Sequence, residues 1–223
     1  MHDPTSQLFH LRLAIAPGVP SSCFSTLLAL QRAEEPDITI AFFETSTEEL
    51  VIGLDEGRYD VGMSLRNVSA SFLKSQPLWI EHMAIAMPLR SPLLAQAKLT
   101  IADLLDYPVF RWPSETNLLL EQRLSSVPPL GQQSIQHVTS FEMMALWVAA
   151  GYGVGISAQS RIERAHTWGI TMRPLFDGPY EIVTHLQRPK GRVNAVSERF
   201  ERRAMQLAKD SAAQSLTRWA ERP

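Results

Sequence analysis

Hydroxyl residues stand at three predicted helix starts, Ser21-Ser22, Ser46-Thr47 and Thr139-Ser140, and the chemistry they suit is the holding of an anion. The first N–H groups of a helix lack internal partners and carry the positive end of the helix dipole, so hydroxyls beside them favour a carboxylate or phosphate. The same hydroxyls would also suffice to cap their helices with no ligand present. Gly18 either lets a ligand approach the backbone or makes a turn. Arg66 and Arg111 follow predicted strands, where each can grip a ligand carboxylate bidentately or close a surface salt bridge. Trp112 and Pro113 offer an apolar wall and Phe141 another, with core packing the competing role for Trp112 and Phe141. Together these residues point to a small organic anion with an apolar or aromatic part.

Catalytic constellations are missing. Asp60, Glu44 and Glu142 fall near predicted loop or strand ends, but no spacing pairs them. The histidines (His2, His10, His82, His137, His166, His185) show no metal-ligand spacing such as HExxH and are read as surface or packed residues. There is no G-x-S-x-G elbow and no Walker A. Gly151-Tyr152-Gly153-Val154-Gly155 follows a helix and precedes a strand, the reverse of the order that aims a phosphate at a helix start. Cys23 is the sole cysteine, which excludes an intrachain disulfide and suits a small buried hydrophobe. Neither enzyme activity, metal nor cofactor is expected.

The 223 residues suffice for one large or two small domains, and 45% hydrophobic with 20% charged residues is the composition of an ordinary globular chain. A formal charge of −2 argues against a general polyanion-binding surface. The basic cluster Arg199, Arg202 and Arg203 is interleaved with Glu198 and Glu201 and reads as a solvated helix face. No run of about 18 apolar residues offers a membrane span, and residues 1–10 lack the basic start and apolar stretch of a signal peptide, so a cytoplasmic protein is expected.

Strands are predicted at 11–16 (LRLAIA), 38–43 (ITIAFF) and 59–65 (YDVGMSL). Between them lie a helix opening at Ser21-Ser22 and one opening at Ser46-Thr47-Glu48-Glu49, a capping-box pattern. This is a parallel α/β unit with right-handed crossovers. Further strands are expected at 83–87, 107–112 and 135–138, with a short helix capped by Thr100, a helix through Leu124 after Ser114-Glu115, and a proline-rich loop at 127–129. Within 138–160 (VTSFEMMALWVAAGYGVGISAQS), Thr139 and Glu142 have capping-box spacing. Phe141, Met144, Ala145 and Val148 share a helical face, Gly151 stops the helix, and 153–156 enters a sheet. A helix near 160–166, strands at 170–175 and 181–186, and an amphipathic helix from 194 to about 219 complete the chain, the last with Val196, Phe200, Leu207 and Leu216 inward. Two successive α/β units, with strands after Met83 and Glu181 carrying the chain out and back, make two Rossmann-like subdomains whose ligand belongs at strand carboxyl ends.

By itself the 138–160 run suits any helix–turn–strand unit, but it also resembles a signature of LysR-type transcriptional regulators. So do LRLAIAPG at 11–18, like the opening strand of their effector-binding domain, and EELVIGLDEGRYDVGMSL at 48–65, like its second helix, glycine stop and third strand. Order and spacing agree along roughly residues 9 to 210. One departure is Ala158, where the family often has proline.

The resemblance implies a type 2 periplasmic-binding-protein-like fold with an N-terminal extension at 1–8. Residues 9–88 plus 184–219 would form one regulatory subdomain and 89–183 the other. It implies a bacterial sensor that binds a small effector in an interlobe cleft and assembles as a homodimer or homotetramer. DNA would be reached only through an N-terminal winged helix-turn-helix absent from this sequence. Effector contacts are expected from Gly18, Ser21, Ser46, Thr47, Arg66, Trp112, Pro113, Ser140 and Phe141. The resemblance adds most to Thr47, since the start of the second helix often meets the effector in that family. A transport solute receptor is the alternative, and a small-anion enzyme on the same fold the more remote one.

Overall fold

The computed structural model describes residues 10–113, 117–126, 135–191 and 194–220, with side chains at all of these except 21–22 and 212–220. The chain divides into two compact units, residues 1–79 with 183–223, and residues 80–182. Both crossings lie inside strands, β4 (Leu73–Pro88) and β9 (Glu181–Pro189).

In the first unit, β1 (His10–Ile15), β2 (Thr39–Glu44) and β3 (Val61–Ser64) are parallel, and β9 adds antiparallel to β3, in the order β2-β1-β3-β9. Side chains alternate across a strand, so β1 splits its apolar residues between two cores. Leu11 and Leu13 pack with Leu27 of α1 (Ser21–Glu34) and with Val196, Phe200 and Ala204 of α6 (Ala195–Ala220). Ala14 and Ala16 pack with Leu50 and Leu54 of α2 (Thr47–Asp55). The α6 residues recur at intervals of four, one helical stripe, and burying a side chain the size of Phe200 contributes about 2–3 kcal/mol. Leu207 is partly buried against this core, as is Cys23, whereas Leu216 lies outside the described side chains.

The expected solvated basic face on α6 is corrected. Arg199 donates to Glu35, and Arg203 to Glu34, to Glu35 at 2.6 Å and to Gln31 at 2.6 Å, so two of the three arginines tie α6 to α1. Only Arg202 is exposed.

In the second unit, β5 (Val109–Arg111) lies parallel between β6 (Ile135–His137) and β7 (Val154–Ala158), while β4 runs antiparallel to β7 and to β8 (Ile170–Pro174). Phe110 packs with Phe141, Met144, Ala145 and Val148 of α4 (Phe141–Ala149) and with Ile162 of α5 (Gln159–Arg164). The remaining helix is α3 (Leu118–Ser126). Thr100 and Asp103 form a complete capping box on the short 3-10 turn Ile101–Leu104.

Three local readings change. The strand expected at 83–87 extends back to Leu73, across Pro77, which is exposed on the strand. The cap of α4 is Ser140, not Thr139: Ser140 is extended (φ −152°) and its hydroxyl accepts from the Met143 N–H at 3.3 Å, so the helix starts one residue later. On α2 only half the capping box forms. Ser46 accepts from the Glu49 N–H at 3.2 Å, but the Glu49 carboxylate turns to Arg58 at 3.1 Å. Ser114, Glu115 and the proline-rich loop at 127–129 lie outside the described residues.

Candidate functional site

In the first unit the carboxyl ends of the parallel strands are level, with Ile15 opposite both Glu44 and Met63. The Thr45 N–H donates to Ile15 O at 3.1 Å and the Ala16 N–H to Met63 O at 2.8 Å, so the segments leaving β1, β2 and β3 depart from one edge. Gly18 turns there at φ +93°, in the left-handed region that glycine enters without strain. α1 starts at Ser21, with Pro20 as its N-cap, and the Ser21 side chain is not among those described.

Ser46 and Thr47 open α2. Ser46 caps the helix, leaving Thr47 half-buried at the first helical position, its hydroxyl without a protein partner among the described residues. Glu48 reports the electrostatics of this end. Its own backbone N–H in the first turn, then Arg66 and the Ser46 hydroxyl, hold its carboxyl below the ordinary glutamate range. Arg66 pairs with Glu48 at 2.6 Å, both side chains largely exposed, so its guanidinium is engaged in a surface ion pair.

Sequence reasoning missed a buried polar group beneath Arg66. Gln187 Nε2 donates to Arg66 O at 3.0 Å and to Ser64 Oγ at 3.3 Å, and the Ser64 hydroxyl donates to the same carbonyl at 3.0 Å. Ser64, His185 and Gln187 are all buried. Gln187 Oε1 and His185 Nδ1 have no partner among the described residues, and burial pushes the His185 pKa down. The signal was the pair His185 and Gln187, polar residues at alternate positions of a strand that buries most of its length.

In the second unit β5 and β6 end level at Arg111 and His137, while β7, with Ile156 opposite Arg111, runs two residues further to Ala158. Trp112 is half-buried and Pro113 exposed just beyond β5, while Ser140 and Phe141 begin α4 just beyond β6. Phe141 is only 3% exposed and belongs to the core. Arg161 of α5, which the sequence did not flag, brings these positions together: its guanidinium stands 4.9 Å from the Trp112 ring centre and 5.5 Å from that of Phe141. Arg111 is buried and pairs with Glu121 at 2.5 Å, which makes it a structural cation of α3 and β5.

The acidic residues do not pair at these ends, although Glu44 closes β2 and Glu142 lies in the first turn of α4. Asp60 precedes β3 at the opposite edge and binds Arg12, and Glu44 and Glu142 are exposed. No group of three His, Cys, Asp or Glu side chains among the described residues is placed to hold a metal ion. What the two sets of strand ends offer is hydrogen-bond donors, a helix N-terminus and an aromatic–guanidinium cluster, which is binding chemistry.

Comparison with known proteins gives this arrangement a family. A model of the LysR substrate binding domain matches residues 9–207. A probable hydrogen peroxide-inducible genes activator of Mycobacterium avium is 24% identical over 155 residues, 68% of this chain, and the match takes in 50% of that relative's length. The BenM effector binding domain with its effector benzoate superposes with a TM-score of 0.77 at 18% identity, covering 92% of this chain and 93% of that one. The effector binding domain of QuiR in complex with shikimate gives 0.75 at 16%, covering 90% and 97%. The reduced OxyR regulatory domain from Pseudomonas aeruginosa gives 0.74 at 19%, covering 91% and 98%. The fold is therefore that of LysR effector-binding domains, type 2 periplasmic-binding-protein-like. With the family pattern running through nine-tenths of its length on that fold, the chain belongs to the LysR substrate binding domain family.

Proposed function

We propose that this chain is the effector-sensing domain of a LysR-type transcriptional regulator and that it binds a small anionic metabolite. The observation that carries the reading is the family match from residue 9 to 207. The chemistry at the strand ends supports it. In the first unit, α2 directs its N-terminus and the unpartnered Thr47 hydroxyl to the edge where Gly18 and Ser46 lie, which suits a carboxylate. Arg66 would join only by exchanging Glu48 for the ligand. In the second unit, Trp112 and Phe141 lie beside Arg161, with Pro113 and Ser140 next to them in sequence, which suits an apolar or aromatic body. Ligands of open α/β sheets bind at such carboxyl ends.

A regulator responds through differential affinity of its ligand for two arrangements, and DNA occupancy changes through a reading domain beyond these residues. Self-association has its own support. β2 and β6 are edge strands, and β2 exposes Phe42 (56%) and Phe43 (39%), surface that a homodimer or homotetramer would cover. No described helix is long and apolar enough to cross a membrane, and the proposed setting is the cytoplasm. Cys23 is the single cysteine of the 223 residues, so sensing by an intrachain disulfide within them is excluded.

The test is a thermal-shift screen against small carboxylates, aromatic acids and amino acids. A ligand that binds only the folded state adds about 2.7 kcal/mol at a hundredfold excess over Kd. A selective hit competing for the strand-end residues supports a sensor; conversion of the hit into a product would make the chain an enzyme instead.

A further inference from the structure

Arg188 on β9 is enclosed by protein yet underused as a donor. Its side chain is 15% exposed, and among the described residues only its Nε–H finds a side-chain hydrogen-bond acceptor, Glu201 Oε2 at 2.5 Å. Glu198 stands 3.7 Å from Nη2, beyond hydrogen-bond length. Arg188 borders a depression of about 340 Å³, lined from β4 by Lys74 and Gln76 and from α6 by Glu198, Glu201 and Arg202. Successive strand residues face opposite sides, so Arg188 meets α6 while Gln187 meets Ser64, and the depression is separate from the strand ends described above.

The charges in this lining do not cancel. Burial alone would raise the pKa of Glu201. Lys74 Nζ, 2.7 Å from Oε1, and Arg188 on Oε2 hold it below the usual glutamate range, so it stays a carboxylate. Arg202 is exposed and has no ionic partner among the described residues. Three cations thus face two carboxylates. A volume of this order holds a small molecule, and one surplus positive charge beside two carboxylates selects against a polyanion.

We propose that this depression is a second binding site, which takes a small oxyanion, either a phosphate group or a compact dicarboxylate, on the free donors of Arg188, Lys74 and Arg202. The occupant would bridge α6 to β4 and β9, the two strands that carry the chain between its units. The site stands independently of the effector reading.

Isothermal titration of the 223-residue chain with inorganic phosphate, and separately with succinate, against sodium chloride of matched ionic strength tests it. Saturable binding is expected, weakened by about fivefold or more in Arg202→Ala and in Lys74→Met and unchanged in Thr47→Val. Arg202 is exposed, so its removal leaves the fold intact, whereas Arg188→Gln would also loosen the hold on buried Glu201, which makes Arg202 and Lys74 the positions to change. Tighter phosphate marks the site as one for phosphate esters, and tighter succinate as one for dicarboxylates. Absence of saturation by either anion, equal curves for wild type, Arg202→Ala and Lys74→Met, or loss of binding in Thr47→Val would overturn the proposal.

Discussion

Arg12 and Asp60 grip each other from both backbone and side chain. The Arg12 N–H and Nε–H donate to Asp60 Oδ2 at 2.8 and 3.1 Å, Nη2 donates to Oδ1 at 2.8 Å, and the Asp60 N–H returns a bond to Arg12 O at 2.9 Å. Nη1 also reaches Gly57 O at 2.7 Å, so one guanidinium fastens the turn after α2 and the entry to β3 onto β1. Asp60, which sequence spacing left without a partner, is therefore a structural clamp between the turn after α2 and β1.

That clamp sets an acid limit on stability. Burial would raise the Asp60 pKa, but the hydrogen bonds and charge of Arg12 bring it below the ordinary value. A carboxyl depressed in the folded state contributes fully above its unfolded pKa and loses the contribution as pH falls through the folded value. The unfolding free energies of wild type and Asp60→Asn from urea titration should differ by about 1–3 kcal/mol at neutral pH, nearer the lower figure because Arg12 is half-exposed. The gap should shrink below about pH 4. A gap that stays constant down to strong acid would remove Asp60 from this role.

Gly153 and Gly151 should fail for different reasons. A Cβ on Gly153 would lie 2.2 Å from Pro108 O, backbone that also accepts the Val154 N–H at 2.9 Å, so Gly153→Ala should destabilise by about 1–3 kcal/mol. Gly151 has open space around its Cβ position but φ +84°, and Gly151→Asn, which tolerates that backbone, should cost less. Chemical denaturation of both variants checks the order.

Thr47→Val should weaken the hit from the carboxylate screen by about five- to tenfold while leaving the melting temperature nearly unchanged. Ser46 caps α2, so the Thr47 hydroxyl can be deleted without opening the helix. Unchanged affinity would take the hydroxyl out of the site.

Binding of this chain to duplex DNA should be weak and indifferent to sequence in gel-shift titrations. The formal charge is −2, and Arg199 and Arg203 are already neutralised by Glu34 and Glu35. A salt-sensitive, sequence-specific complex at nanomolar concentration would contradict this.

The parallel units were legible because the relevant signals are local. ITIAFF, the Ser46 cap and the glycine stops each act within a few residues, and together they dictate strand–helix–strand order. The early half of β4 was hidden because Lys74, Ser75, Gln76 and Pro77 resemble a loop until their strand neighbours are known. Ser140 displaced Thr139 as a cap through backbone angle, which two adjacent hydroxyl residues do not reveal. Arg161, Gln187 and the pairing of Arg203 with α1 were out of reach for the same reason: each meets residues distant in the chain.

The two strand crossings also impose a timetable on synthesis. β9 beyond Ile182, and α6 with Phe200, complete a core begun by Leu11 and Leu13. The part of the first unit that precedes Ile80 must therefore wait while the whole middle unit is translated. At roughly 5–20 residues per second that interval is about 5–20 s. Through it the apolar faces of β1, β3 and α1 lack their cover, and the middle unit, continuous in sequence, can finish folding first. Of these two units, the first is thus the more exposed to misassembly during synthesis.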